Sequence, residues 1–242
     1  MNTHRKTTIQ ESKTNMTSST PMRLAGASAI AAGLCFIVIG VLHPVNEPSA
    51  VTTAAWLYSH IAATALGFFG LFGMAGLYAR QAEKAGWLGL IGFLLFSFWM
   101  TMVSGFSFME AFILPKLATV SPAFVEAFLG MFSGASSQID LGILPTLWNI
   151  SGPMYILGPT LFGIATFRAG ILPRWAGALL ALNIVFVPLG AVVPAAYQPM
   201  IMVPVGLAVA WLGYALIAER RQQTSAAVLD PRTARPEPSK AA

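Results

Sequence analysis

Three ionisable side chains that could do chemistry stand inside or beside apolar segments: His43, His60 and Glu110. Histidine titrates near neutral pH, and its ring can exchange protons with a carboxylate or ligate a metal. A carboxyl group within a membrane-spanning helix is costly in lipid, so Glu110 should face other protein or water. Small hydroxyl side chains lead toward Glu110 at steps of three and four residues: Ser97, Thr101, Ser104 and Ser107. Such steps keep side chains near one side of a helix, which favours a polar strip ending at the carboxyl group.

The rise of a helix, about 1.5 Å per residue, predicts how deep these side chains lie. His43 comes about 20 residues after Arg23, hence about 30 Å from the boundary where the first apolar segment begins. His60 lies about 6 Å beyond Trp56 as the second segment enters, and Glu110 lies about 35 Å along the third. All three are therefore expected near the same, outer boundary of the membrane.

Polar side chains at the outer end of the fourth apolar segment are expected at a similar depth. The complete candidate site is Glu110, His60, His43, Ser107, Asn149, Ser151 and Tyr155. In the first interpretation it is a solute or proton site open to the periplasm, where Glu110 titrates and His60 relays the proton or pairs with it. Gly152-Pro153 and Gly158-Pro159 are expected to kink or partly unwind the fourth helix. Interrupted helices present free backbone groups to substrates in transporters.

Two other interpretations stay open. In the second, His43 and His60 ligate haem or a transition metal, with Glu110 as a third ligand or as a partner that orients a ligand. The first interpretation requires no cofactor. In the third, the chain is an accessory or scaffold subunit of a membrane complex, because helices lined by glycine suit packing against partners.

Several enzyme motifs do not occur in the sequence, which has no P-loop, GxGxxG, GxSxG or HExxH pattern. Acid–base catalysis within the membrane would need one or two carboxyl groups. Glu110 has no second acid in an apolar segment, since Glu126 and Asp140 lie in a loop. The sequence therefore favours a small transporter- or sensor-like protein over an enzyme.

The composition places the chain in the membrane class. Of its 242 residues, 56% are hydrophobic and only 10% are charged, whereas soluble domains carry about 25% charged residues. The mean hydropathy is +0.69. The net charge of +5 does not indicate nucleic-acid binding, because the basic residues lie at segment ends and form no patch interleaved with aromatic residues. The single cysteine, Cys35, cannot form an internal disulfide and is expected to be buried.

Six apolar segments are each long enough to cross the roughly 30 Å hydrocarbon layer. We therefore predict an all-α, polytopic bundle of six transmembrane helices at about residues 23–43, 56–78, 87–114, 145–167, 172–193 and 200–218. Residues 1–22 and the basic tail 219–242 are expected to be disordered. Gly26, Gly33 and Gly40 recur at heptad spacing in the first helix, which favours close helix packing.

The long loop between helices three and four is expected to hold a short extra helix. Ser121-Pro122 combines a capping serine with a proline at the first helical position. Phe124, Phe128 and Phe132 then recur at every fourth residue. This apolar face predicts a helix that lies in the outer interface or packs over the bundle.

The distribution of basic residues predicts the orientation. Of the 14 Lys and Arg residues, all except Lys116 precede the first helix, lie in the second or fourth loop, or follow the sixth helix. The positive-inside rule then places both termini in the cytoplasm. Because a wrong helix count would scramble this alternation, the asymmetry also favours six spans.

Three stretches resemble small, uncharacterised bacterial six-helix multi-pass membrane proteins. They are the turn 167–177 (FRAGILPRWAG), the run 76–83 (GLYARQAE) and the His43-Pro44 end of the first helix. The resemblance touches about a third of the chain, and its motifs specify helix turns. It implies a bacterial inner-membrane location, with the lipid bilayer as partner, and supplies no activity. A small molecule, a second copy of the chain or a membrane protein are further partners to be expected.

Overall fold

The computed structural model describes the backbone of residues 3–190 and 192–229, and the side chains of residues 20–190 and 192–219. This part of the chain is all-α and contains no strand. Its helices are α1 Thr3–Leu42, α2 Ala54–Phe112, α3 Leu114–Val120, α4 Pro122–Ser133, α5 Leu144–Ala169, α6 Arg174–Ala181, α7 Asn183–Gly190 and α8 Met202–Leu229. Short 3-10 turns precede α2 at Pro48–Ala50 and α8 at Ala195–Ile201.

Four helical segments are long and apolar enough to cross a membrane: Thr20–Leu42, Ala54–Phe112, Leu144–Ala169 and Ala195–Glu219. The α6–α7 stretch, Arg174–Gly190, is apolar but shorter. The sequence predicts six separate helices, and the structure departs from this prediction in two places. The second and third predicted helices form the single helix α2, and the fifth is divided at Leu182 into α6 and α7.

Helix α2 consists of two limbs that fold back on each other at Gly86. That residue has φ 55° and ψ −154°, a conformation that only glycine adopts without strain. The limbs, residues 54–85 and 87–112, run antiparallel and touch closely. The Ser104 hydroxyl donates to the Thr64 carbonyl at 3.0 Å, and Gly70 lies against Met100.

Residues 80–84 lie between the predicted second and third helices but are helical in the structure, because Arg80 and Gln81 have partners in the bundle. The Arg80 guanidinium donates to both carboxylate oxygens of Glu219 on α8, at 2.6 and 2.8 Å. Gln81 is buried, and its Nε2 donates to the Thr166 hydroxyl of α5 at 2.8 Å. These contacts hold one end of the bundle together, and the chain reverses at Gly86 alone.

Helices α1 and α8 pack antiparallel along the glycines predicted to favour close approach. Gly26 faces Gly213 and Gly33 faces Gly206, so that glycine meets glycine at two levels. A Cβ atom at Gly33 would lie 2.5 Å from the Gly206 carbonyl oxygen, closer than any side chain permits. Helix α1 also packs on the first limb of α2, where Gly73 lies against Ala29.

Helix α5 stays helical through Pro153 and Pro159, so the predicted partial unwinding does not occur there, and the predicted kink stays a prediction. Pro159 has no N–H, so the Tyr155 carbonyl loses its normal helical donor. The buried Asn183 side chain supplies the replacement, because its Nδ2 donates to that carbonyl at 2.6 Å. Asn183 is also the first residue of α7, which places the break between α6 and α7 beside the proline of α5.

The extra helix predicted from Ser121-Pro122 is α4, and it packs over the end of the bundle. Phe128 is fully buried there and meets Phe106 of the second α2 limb. The Ser121 side chain makes no capping hydrogen bond, so that detail of the prediction is wrong.

Helix α1 begins at Thr3 and helix α8 ends at Leu229, so helical backbone reaches into both terminal segments, whose disorder stays a prediction. Extending an established helix costs little per residue. Residues 230–242 lie outside the described part of the chain.

Candidate functional site

A cavity of about 90 Å³ lies near the end of the bundle opposite the Arg80–Glu219 ion pair. The two α2 limbs form much of its wall, and α4, α5 and α8 contribute Phe132, Trp148 and Met202. Its polar side chains are His43, Asn46, His60, Ser107 and Glu110. Asn46 is exposed, so the cavity reaches the surface at this end.

His60 and Glu110 form an ion pair or proton-sharing pair inside this cavity. The His60 Nε2 atom lies 3.4 Å from Glu110 Oε2, and the two residues are only 1% and 6% exposed. Each comes from a different limb of α2, so the fold at Gly86 is what brings them together. The Ser107 hydroxyl, one turn before Glu110, lies 3.5 Å from the same carboxyl oxygen.

The hydrogen bonds of His60 define where its protons lie. Its Nδ1 atom is 2.7 Å from the Trp56 carbonyl oxygen, which can only accept, so Nδ1 carries a proton. Nε2 then carries a second proton only in the imidazolium. A proton shared between Nε2 and Glu110 would relieve the repulsion between their facing lone pairs. The pair that holds this proton has no net charge, whichever group carries it.

Trp56 fixes this geometry through both its side chain and its backbone. Its indole N–H donates to the Glu110 carbonyl oxygen at 2.8 Å, while its own carbonyl accepts from His60. The indole and His60 ring centroids are 4.1 Å apart. The Thr53 hydroxyl accepts from the Trp56 N–H at 3.2 Å and caps the start of α2. Trp56 thereby connects the two limbs immediately around the pair.

His43 follows the apolar part of α1 and lies next to His60, with ring centroids 4.8 Å apart. Its Nδ1 donates to the Pro44 carbonyl at 2.7 Å, which leaves Nε2 with a free lone pair in the neutral ring. Burial, and secondly the neighbouring His60, lower the pKa of His43 to about 4. His43 is therefore neutral at physiological pH and can accept a proton only transiently.

Aromatic rings complete the cavity wall: Trp99, Phe106, Phe132 and Trp148. Trp148 meets Phe106 and Phe132 edge to face, at centroid distances of 5.7 and 4.6 Å. Trp99 stacks on Tyr155 at 4.3 Å. The site thus combines the His60–Glu110 pair with an aromatic enclosure.

Four of the seven predicted site residues line this cavity: Glu110, His60, His43 and Ser107. The other three, on α5, do not. Trp148 and Tyr155 are seven residues apart and share the face of α5 toward α2, whereas Asn149 is turned about 100° from Trp148. Asn149 lines a separate surface groove with Asp140. The Ser151 hydroxyl donates to the Trp148 carbonyl within its own helix, at 2.8 Å.

Tyr155 lies behind Trp99 and away from the cavity. It is buried, and its hydroxyl has no hydrogen-bond partner among the described residues. The backbone carbonyl that Pro159 frees is that of Tyr155, and it is occupied by Asn183. The expectation that a broken fourth helix offers backbone groups to a substrate is therefore wrong at Pro159.

The residues around the predicted metal ligands do not form a recognisable ligand cage. The described part of the chain contains no group of three or more His, Cys, Asp and Glu residues arranged to hold a metal ion. Both histidine Nδ1 atoms donate to backbone carbonyls. A metal would have to use the Nε2 atoms and would compete with Glu110 for the one on His60.

The sequence alone did not identify Trp56, Asn46 or the aromatic wall as parts of the site. A signal for Trp56 exists, because Trp56 and His60 are four residues apart and share a helix face. The contributions of Phe132 and Trp148 depend on how α4 folds over the bundle, which no local spacing indicates.

Comparison of the chain with protein-family models, with curated proteins and with solved structures finds no match.

Proposed function

We propose that the chain is a six-span protein of the bacterial inner membrane, with both termini in the cytoplasm. Helix α2 has 59 residues and would measure about 90 Å if straight, three times the roughly 30 Å hydrocarbon layer. Two antiparallel limbs account for two crossings. The α6–α7 stretch is counted as a crossing because it packs antiparallel to α5, with Gly163 against Ala181.

The orientation follows from the two ends of the bundle. Arg80, Glu219 and Arg174 lie together at one end, since Arg174 and Glu219 line one groove. We assign this basic end to the cytoplasm by the positive-inside rule. The end that carries the His60–Glu110 pair then faces the periplasm.

In this orientation, the cavity is a periplasm-facing site that binds a small molecule and exchanges a proton. The single observation that carries this proposal is the 3.4 Å approach of His60 to Glu110 within the cavity. A buried acid of this kind is expensive unless paired, and in membrane proteins such pairs mark proton and solute pathways. His43 packs against His60 and lines the same cavity as the exposed Asn46, so it offers a relay position for the proton. A small transporter or sensor fits this arrangement.

The test is histidine-selective ¹⁵N NMR of the protein in lipid nanodiscs. The chain has three histidines, so a His4→Gln background leaves the signals of His43 and His60. We expect Glu110→Gln to change both the chemical shift of His60 Nε2 and its response to pH, because the partner of its proton has gone. Glu126→Gln, which alters an exposed acid on α4, is the matched control and should leave His60 unchanged.

The contrary outcome is a His60 signal with the same shift and pH response in wild type and Glu110→Gln. The site would then be a structural contact, as the scaffold interpretation requires. Retained helicity and a monodisperse elution profile of the variant must accompany either result.

A further inference from the structure

We propose that the ligand of this cavity is a small organic ammonium ion, which takes the place of the proton held by His60 and Glu110. This inference rests on the proposed function and names its ligand class. Binding would remove the proton from the pair, leave Glu110 as a carboxylate and His60 as a neutral ring, and release that proton to the periplasm.

Charge balance is the first argument. The pair is neutral when it holds its proton, and a buried site with uncompensated charge is strongly disfavoured. A monovalent cation that replaces the proton keeps the net charge at zero. An anion would add a negative charge beside Glu110, and no lysine or arginine is among the residues lining the cavity to compensate it.

The titratable groups around the cavity fit this exchange. His43, His60 and Glu110 are its titratable lining residues, and the side chains from α4, α5 and α8 are the neutral Phe132, Trp148 and Met202. No fixed charge from a neighbouring helix therefore competes with the incoming cation or holds the proton in place.

Hydrogen-bond acceptors converge where the proton now lies. Once it leaves, Glu110 Oε2 and His60 Nε2 both offer lone pairs, and the Ser107 hydroxyl oxygen lies 3.5 Å from the carboxyl oxygen. An ammonium group carries up to three N–H donors and no acceptor, which complements this set.

The aromatic wall suits the remainder of such a ligand. Trp99, Phe106, Phe132 and Trp148 offer ring faces and edges to an alkyl chain, and an aromatic face attracts a cation within about 6 Å. The cavity of about 90 Å³ has room for several non-hydrogen atoms, because a single water needs roughly 10–15 Å³. The expected ligand is therefore a short-chain primary or secondary amine in its charged form.

The experiment uses n-butylammonium as the probe and n-butanol as its uncharged counterpart, with the full-length protein in nanodiscs. Calorimetry measures binding, and a pH-indicator dye in weak buffer measures proton release. We expect about one proton released per butylammonium bound. Its Kd should fall about tenfold per unit rise in pH over the range where the pair holds its proton. Glu110→Gln should abolish this binding, and Glu126→Gln should retain it.

Equal binding of butanol and butylammonium, or binding of butylammonium without proton release, would overturn the cation exchange. Absence of butylammonium binding to the wild type would overturn it as well. If the NMR signal of His60 still responds to Glu110→Gln in any of these cases, the proposed proton site is retained and only the proposed ligand class is rejected. If His60 does not respond, the proposed function fails too. Even if the Glu110→Gln variant does not fold, the pH dependence of butylammonium binding to the wild type tests the proposed exchange.

Discussion

Trp56 positions the His60–Glu110 pair, although its own side chain has no titratable group. Its indole N–H holds the backbone of the second α2 limb at Glu110, and its carbonyl sets the tautomer of His60 on the first limb. The sequence indicated His60 and Glu110, because helix rise predicts that both lie near the same end of the bundle. The four-residue spacing of Trp56 and His60 places both on one helix face, but no local spacing indicates that the Trp56 indole reaches Glu110 on the other limb.

Asn183 also positions a backbone group, because its side chain donates to the Tyr155 carbonyl that Pro159 leaves without a donor. We expect Asn183→Leu to lower the free energy of unfolding by about 1–3 kcal/mol, because the buried Tyr155 carbonyl loses its donor. Pro159→Ala restores the helical N–H to that carbonyl, so Asn183→Leu should cost clearly less in the Pro159→Ala background. Denaturant titrations of the four proteins in detergent measure this double-mutant cycle.

The cycle isolates the hydrogen bond from the other effects of the substitution. Leucine also removes the Asn183 Oδ1 atom, which has no partner among the described residues, and that effect is common to both backgrounds. An equal cost of Asn183→Leu with and without Pro159 would contradict the assignment.

At the scale of elements, glycine spacing carries the packing of α1 against α8. We expect Gly33→Ala to lower the free energy of unfolding by about 1–3 kcal/mol, because its Cβ would meet the Gly206 carbonyl oxygen and push the helices apart. Gly105→Ala is the control, since a Cβ there meets nothing within 4 Å. The control should be neutral or stabilising by up to about 1 kcal/mol. Equal effects of the two substitutions would show that close approach is not what Gly33 provides.

The helices also show which features of the packing can be predicted from the sequence and which cannot. The heptad glycines of α1 predicted a close interface, because side-chain volume is a local property. The predicted helix end at about residue 78 was wrong, because Arg80 and Gln81 continue the helix and have partners on α8 and α5. Whether polar residues end a helix or pack within a bundle depends on such distant partners.

At the scale of the whole molecule, the basic residues Arg80 and Arg174 lie at one end of the bundle and the cavity lies at the opposite end. The sequence predicted this separation from the positions of its basic residues and its three titratable groups. It did not predict that α4 would close over the cavity with Phe132, because that requires the path of the loop between α2 and α5. The four candidate spans, with the fold of α2 at Gly86 and the antiparallel α6–α7 stretch, support the proposed six crossings.

The most direct test of the central claim, a proton site that opens to the periplasm, is cysteine labelling of intact cells. Cys35 is the only cysteine, so Cys35→Ser provides a clean background. Asn46→Cys, at the mouth of the cavity, should react with a membrane-impermeant thiol reagent. Glu83→Cys, exposed near the basic end, should react only after the cells are permeabilised. Reaction at position 83 in intact cells, with none at position 46, would contradict the account.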